Sequence, residues 1–451
     1  MLFLENLISG TLPFSFLMVS GIYLTFKTKL CQITRFFESI RLTKKAYLHK
    51  GKTKEITSFK AACTALSATV GTGNIAGVAG AISIGGAGAV FWMWVSAVVG
   101  MCIKAAEITL AVVYREKSGN EWVGGPIYYI KNGLPSKFRF LGAVFCLASI
   151  PAVFCSGNIT QTNAAIITFC DSDIKRIIWG VIFAVAVFIA VAGSLNRIAN
   201  LTEKIVPFMS VLYILISFIV IIKNRELLPD CFKMIFEGAF NPKAVTGGAV
   251  GSVFTAVFIG SSRGVFSNEA GLGTSAMAHS VAFDANPETQ GLFGMFEVFV
   301  DTILLCTLTA LTILCSGVKI NYGAASSSEL VASALNINLG VFGNIALSLM
   351  MCLFAFSSII GWAVYGRISI SYLFGKKAVR VFTLIYPLCC VLGAVLQSGA
   401  VWRLAELCNG VMLCTNLVAV LLLSNDVKPY LKRGKLSDYR KNKGTQKGIG
   451  G

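Results

Sequence analysis

Val70-Gly71-Thr72-Gly73-Asn74 places two glycines and two small polar residues inside a segment otherwise apolar enough to cross a bilayer. Glycine resists the helix, and non-helical backbone at membrane depth is tolerated only where protein buries it or where it lines a cavity. Unwinding at Gly71–Gly73 leaves one half-helix ending in free carbonyls and another starting near Asn74 with free N–H groups. Carbonyls attract a bare cation, while the N–H end attracts a carboxylate through the helix dipole. An amino acid with a sodium ion suits both ends together. The alternative is that these glycines only allow close helix packing.

Four further groups carry chemistry. Within Phe258–Gly273, Arg263, Asn268 and Glu269 would be costly in lipid and must face protein or water. Arg263 and Glu269 either pair as a gate or anchor a helix end. Ser357 and Ser358, near Trp362, either complete a sodium shell begun by backbone carbonyls or bond back to their own helix. Asn158-Ile159-Thr160-Gln161-Thr162-Asn163 sets a polar stripe on one helix face, for a ligand or for a neighbouring helix. Asp301, with Glu297 one turn earlier, is an intramembrane carboxylate: a proton relay, a cation ligand, or a tie between helices through Thr302, Thr307 and Thr309. Lys104 and Glu107 stand at i, i+3 spacing and read as a structural pair.

Membrane helices must position these groups. Of 451 residues, 55% are hydrophobic and 13% charged, a composition that would leave large apolar patches on a soluble domain. Apolar runs of about 20 residues predict about eleven spans. They are Leu2–Phe26, Thr57–Gly85 (with the break), Phe91–Tyr114, Leu141–Phe169, Ile177–Leu195, Ile205–Ile222, Val245–Met277, Leu292–Cys315, Val341–Phe374, Val381–Gln397 and Leu404–Ser424. The first lacks a basic start and an Ala-x-Ala site, so it reads as a retained helix rather than a signal peptide. Gly124-Gly125-Pro126 with the residues after it, and Ser326 to Leu335, predict short interfacial segments.

The formal net charge is +18, with ten Lys and Arg between Lys27 and Lys60 and eight after Asn425. These clusters flank spans, so the positive-inside rule accounts for them without nucleic acid. They predict an outside N-terminus, a cytoplasmic C-terminus, and contact with anionic lipid head groups. The 14 cysteines show no zinc-ligand spacing and mostly lie in apolar runs, so they read as small buried hydrophobes.

Ten spans after the first divide five and five. The broken second span opens one half and the glycine-rich seventh opens the other, in opposite orientations. That is the pattern of an inverted repeat (about 57–222 and 245–424) with a site at its interface. Residues 1–424 therefore read as one transmembrane domain and 425–451 as a basic cytoplasmic tail.

The segment Gly85–Gly100, GGAGAVFWMWVSAVVG, with Thr69–Gly77, Arg263–Gly273 and Leu353–Gly366, resembles the alanine/glycine:cation symporter family, also called sodium:alanine symporters. The resemblance runs from the first helix to the eleventh. It implies an all-α leucine-transporter-type fold with one extra N-terminal helix in the cell's plasma (inner) membrane. It further implies sodium-driven uptake of alanine or glycine by alternating access, with Na⁺ as coupling ion and no organic cofactor. By motif position, Gly71, Thr72, Gly73, Asn74, Gln161, Phe266, Asn268 and Trp362 would form the substrate pocket, with Phe266 and Trp362 limiting side-chain volume. Carbonyls near Ser67 and Val70 with the hydroxyls of Ser357 and Ser358 would hold sodium. The chain departs from the family pattern at Ala87, where proline is usual, and at Arg367, where an acidic residue is expected.

Proton coupling through Asp301 and glutamine as substrate are the nearest rivals, and a passive channel is a further class. An intramembrane enzyme is disfavoured: there is no His-Glu-x-x-His or Gly-x-Ser-x-Gly, and any nucleophile lacks an evident base. Oligomeric state is not encoded in any motif here.

Overall fold

The computed structural model describes residue 10 and residues 12–48, 55–119, 121–170, 172–248, 250, 252–323, 328–396 and 399–432. The start of the first predicted span and most of the predicted tail lie outside these residues.

The first helix among the described residues is α1 (Leu12–Lys27); the chain then reverses at the left-handed Lys29 and Leu30 and forms α2 (Phe36–Leu48). Helix α3 (Ser58–Thr69) begins where the Thr57 hydroxyl accepts from the Lys60 amide at 3.3 Å, an N-cap. It ends at Val70, whose ψ of 95° is extended. A π-turn at Gly73–Gly77 leads into α4 (Val78–Gly85), bent 49° from α3. The predicted break is thus present.

Helix α5 (Ala89–Val113) runs through the centre of the molecule, buried along most of its length. Strands β1 (Glu116–Ser118) and β2 (Glu121–Val123) form an antiparallel hairpin, with Glu116 opposite Val123. There follow α6 (Pro126–Gly133), α7 (Phe140–Phe154), a π-turn at Cys155–Ile159 and α8 (Thr160–Ile167). Next come α9 (Asp173–Val191), α10 (Leu195–Lys223) and α11 (Leu228–Phe240).

Helix α12 (Val253–Asn268) is capped by Ser252 and is the first half of a second broken segment. Glu269, Gly271 and Gly273 all take positive φ before the chain resumes as α13 (Thr274–Ser280). Helix α14 (Pro287–Val298), capped by the Asn286 side chain, continues through a π-turn at Phe299–Cys306 into α15 (Thr307–Leu314). The remainder is α16 (Ser328–Leu339), α17 (Val341–Val395), α18 (Gly399–Leu422) and α19 (Ser424–Leu431). Gly375, at φ 78° and ψ 174°, kinks α17 and divides it near the boundary expected between two spans.

Among the described residues, seven helices are long and apolar enough to cross a membrane, and the bent α3–α4 pair passes the same test as one span. Helices α9 and α10 expose Ile178, Ile182, Val185, Phe208, Leu215 and Ile222, a face suited to lipid. Helix α5 is packed by α1, α12, α13 and α14, whereas α17 is packed by α3, α7, α8 and α9. The break in α3–α4 lies between these two groups.

One end of the bundle gathers basic connections. Lys27 donates to Ser424 Oγ at 2.8 Å, Arg35 to the Tyr430 carbonyl at 2.6 Å, and Tyr114 to Asp426 at 2.7 Å. The amide of Ser58 donates to Asp284 at 2.7 Å. We call this the basic end. All 14 cysteines are free and buried or partly buried.

Three elements stand where the sequence reads as connection: α2, the hairpin and α11. In α11 Asp230, Lys233 and Glu237 mask a helical stripe, Cys231, Ile235, Gly238 and Ala239, that packs inward. Phe236 and Phe240 add edge and tilted ring contacts to Phe91. Helix α6, expected at the interface, instead buries Pro126 to Ile130.

Candidate functional site

The break is held open by two side-chain amides. In an unbroken helix the Gly71 and Thr72 amides would bond the carbonyls of Ser67 and Ala68. Here Gly71 N–H donates to Asn74 Oδ1 at 2.9 Å, and Thr72 N–H donates to Gln161 Oε1 at 3.2 Å. Those carbonyls therefore lose their usual helical donors. The Val70 amide still reaches Leu66 O at 2.8 Å, so the opening spans little more than one turn.

Gln161 comes from α8, directly after the π-turn Cys155–Ile159. Its Oε1 also accepts from Thr72 Oγ1 at 2.8 Å. Asn158 and Asn163, its partners in the polar stripe, point elsewhere: they donate to Tyr386 O, and to Gly393 O and Leu396 O. The stripe thus serves both purposes considered for it, with one amide at the break and two on a neighbouring helix segment.

A cavity of about 20 Å³ lies against the break, lined by Gly71, Gly73, Gln161, Phe266, Glu269 and Trp362, among others. That is room for a water molecule and not for an amino acid, so a ligand must part these walls. A larger cavity of about 430 Å³ opens beside it, away from the basic end. Phe266, Leu272 and Asn409 line both and form the partition. Phe266 rests against Trp402 with ring centroids 6.0 Å apart. A Cβ on Gly157 would stand 2.6 Å from Trp362, so the π-turn fixes that indole by close approach.

Three of the residues expected in the pocket do not line it: Thr72 is buried against Gln161, and two others lie behind the wall. Asn74 is fully buried, and its Nδ2 donates to Asp301 Oδ1 at 2.7 Å and to Ser267 Oγ at 3.0 Å. Asn268 donates to Thr302 Oγ1 at 3.1 Å, while its carbonyl accepts from Lys104 Nζ at 2.6 Å. Both position the broken segments; neither lines the cavity.

The expected sodium residues also separate. Ser358 Oγ lies 3.5 Å from Val70 O, the carbonyl turned out of the helix. Ser357 Oγ donates instead to Phe354 O at 2.9 Å, within its own helix, and lies 3.2 Å from Met209 Sδ. Ser67 Oγ donates to Thr64 O at 2.7 Å, leaving its backbone carbonyl as the group directed at the break. The structure sets Ser358 beside the Val70 carbonyl and turns Ser357 away.

Asp301 receives Asn74 Nδ2, Ser267 Oγ and Thr302 Oγ1, the last two at 2.8 Å. It ties α12 and α14 to the break. Thr309 reaches Asn74 O at 2.8 Å, whereas Thr307 accepts from Trp94. Lys104 is the buried cation acting on Glu107, Glu269 and Asp301. Glu107 itself accepts from Asn416, so the anticipated Lys104–Glu107 pair is part of a wider network. Arg263 and Glu269 do not join: Glu269 accepts from Thr274 Oγ1 at 2.6 Å, and Arg263 lines the larger cavity.

Sequence reasoning missed Ser156, Asn409 and Leu272 on the cavity wall. Asn409 donates to Ser156 Oγ at 3.1 Å, and its Oδ1 is buried without a partner among the described residues. An Asn within an apolar helix is a usable signal that was not taken up.

A crystal structure of MhsT in complex with L-phenylalanine superposes with a TM-score of 0.58, at 15% identity, over 83% of this chain and 90% of that one. The fold is therefore of the leucine-transporter type. The sodium/alanine symporter AgcS of Methanococcus maripaludis is 36% identical over 94% of each chain. The probable sodium/glutamine symporter GlnT of Bacillus subtilis is 35% identical over 97% of this chain and 90% of its own. These are transporters, not enzymes, and the model of the sodium:alanine symporter family matches residues 2–448. The chain is a multi-pass membrane transporter and belongs to the sodium:alanine symporter family.

Proposed function

We propose that the protein carries alanine or glycine into the cell with sodium, by alternating access, with its N-terminus outside and its basic end in the cytoplasm. The observation that carries this reading is the capture of the Gly71 and Thr72 amides by side chains, which leaves ligand-binding peptide groups at the break. Gln161 Oε1 sits where a carboxylate oxygen would accept from Thr72 N–H and Oγ1. An incoming amino-acid carboxylate would take that position and swing the amide aside. Its ammonium would meet acceptors on the wall, Asn409 Oδ1 and the Glu269 carboxylate. Trp362 and Phe266 leave little depth for a longer side chain, which favours alanine and glycine over glutamine.

Sodium would sit between the carbonyls of Ser67 and Val70 and the Ser358 hydroxyl. Because it would bind the same few residues that present the substrate, each ligand raises affinity for the other, a reciprocal coupling. The direct test is labelled-alanine uptake by proteoliposomes with and without an inward sodium gradient. Equal uptake in both rules out sodium coupling, and uptake that never exceeds equilibration would make the protein a passive channel.

The two neighbouring serines separate by role. Ser358→Ala removes an oxygen from the cation and is expected to raise half-saturating sodium by roughly ten- to a hundredfold, as loss of a charge-assisted contact worth about 1.5–3 kcal/mol requires. Ser357→Ala removes only a bond within its own helix and should leave sodium dependence within about threefold. Sodium titration of initial uptake rates checks both.

Proton coupling through Asp301 is the rival, and Asp301→Asn distinguishes the two. The variant keeps one acceptor oxygen of two and faces three donors, so a slower rate by up to about tenfold is expected. Sodium-driven accumulation should survive. Complete loss of accumulation, with equilibrative exchange retained, would favour the proton.

A further inference from the structure

Where α9 turns into α10, a groove of about 620 Å³ takes no part in the site above. One wall is apolar: Ala186, Ile189 and Ala190 of α9 with Phe356 of α17. The other is a polar face of α10, on which Arg197, Asn200 and Lys204 recur every three or four residues and so stand in line. All three are exposed. Neither cation forms an ion pair or a side-chain hydrogen bond among the described residues. The stem of Arg197 lies over Gly193, where a Cβ would stand 2.5 Å from its Cδ, so the missing side chain lets the arginine lie along the turn. Glu203 adjoins Lys204 in the chain but does not line the groove.

The groove belongs to the basic end. Ser194 lines both it and a neighbouring cavity of about 210 Å³ that the hairpin residues Ser118 and Glu121 help to wall. That hairpin follows Tyr114, which is bonded to Asp426. Arg367 and Lys376 line the second cavity as well, and Arg367 Nη1 is buried without a hydrogen-bond partner among the described residues. Arg197, Lys204, Arg367 and Lys376 therefore face a single carboxylate, Glu121, on the described walls of the two cavities. Such a surplus makes the local potential positive. The groove also meets the lipid-facing surface, since Val185 and Ile189 of α9 are exposed. Lys204 immediately precedes the apolar run Ile205–Ile222, so the cations stand where water gives way to hydrocarbon. Seven residues separate them, about 10 Å along the helix.

Unpaired cations on one wall and apolar side chains on the other, open to the bilayer, select a narrow class of molecule. A free inorganic anion would use the cations and leave the apolar wall wet. It would also fill little of the groove, which has roughly twenty times the ~30 Å³ share of a water molecule. A zwitterionic lipid would bring its own cation against Arg197 and Lys204. We propose that the α9–α10 groove is a binding site for an anionic diacyl phospholipid. Its phosphate lies between Arg197 and Lys204, and an acyl chain runs along Ala186, Ile189 and Phe356. Arg197 offers the phosphate oxygens a planar fork of donors, while Lys204 extends its stem from the hydrocarbon edge and acts as a point charge. Asn200, between them, supplies a neutral donor for a head-group or ester oxygen.

The test uses the full-length protein in phosphatidylcholine vesicles with a trace of phosphatidylglycerol that carries a photoactivatable acyl chain. Labelling should map to residues 186–204 and to the peptide containing Phe356. Unlabelled phosphatidylglycerol should compete at least about tenfold better than phosphatidylcholine, as two cations acting on one anionic lipid require. Replacing both cations, Arg197→Gln with Lys204→Gln, should erase that preference, and their exposure means that folding is retained. Arg41→Gln with Lys44→Gln removes the same charge from exposed positions of α2 and should leave the preference intact. Ala186→Trp fills the apolar wall with both cations in place and should also lower labelling. Inorganic phosphate at matched ionic strength should displace nothing. Equal competition by the two lipids, a preference that survives loss of both cations or vanishes equally in the α2 variant, or full displacement by phosphate would overturn the proposal.

Discussion

Gln161→Glu is expected to abolish alanine binding. Gln161 Oε1 accepts from Thr72 N–H at 3.2 Å and from Thr72 Oγ1 at 2.8 Å, the pair of donors the proposed carboxylate would take. A fixed carboxylate there competes for the donors and repels the ligand's own charge. Like charges in a desolvated site cost several kcal/mol, on the order of a hundredfold or more in affinity. Gln161→Ala removes the competitor without adding charge, so it should bind alanine within about tenfold of wild type. Equilibrium binding of labelled alanine to the purified variants checks the contrast. Equal loss in both would mean that Gln161 acts by packing alone.

Gly71→Ala is expected to stop transport by a different route. A Cβ at this position would lie 2.4 Å from Ser358 Oγ and 3.1 Å from Gln161 Oε1. Both neighbours belong to the proposed ligand sites, so either the break or the two side chains must move. Overpacking of this kind costs about 1–3 kcal/mol in stability, yet the functional loss should be far larger, because sodium and substrate positions shift together. Gly77→Ala is the control, since it lies outside the cavity lining and its Cβ would meet nothing within 4 Å. Thermal unfolding and uptake on both variants separate the effects: similar folding in both, with uptake lost only in Gly71→Ala.

Much of this arrangement was legible in the sequence because hydrocarbon is a demanding solvent. A Gly-Thr-Gly-Asn run within an apolar segment has few physical explanations, and the break stands where that run is. The second interruption was legible for the same reason, with glycines at the left-handed positions Gly271 and Gly273. The roles of neighbours within a motif were less accessible. Ser357 and Ser358 are alike in type, and only the helix rotation puts one beside Val70 O and the other beside Met209. Asn74 belongs to the break, but its amide faces Asp301 and Ser267 rather than the cavity. That orientation depends on α12 and α14, more than 190 residues away. The hairpin and α11 were hidden because charged side chains on their outer faces dilute the apolar period.

The central claim is that one opened turn holds substrate and sodium together. Equilibrium binding of labelled alanine to the purified protein, measured across a sodium series, tests it most directly. Affinity should rise with sodium and level off once the cation site fills, with Ser358→Ala shifting the series to higher sodium. Alanine binding that is unchanged from sodium-free buffer to saturating sodium would contradict the account.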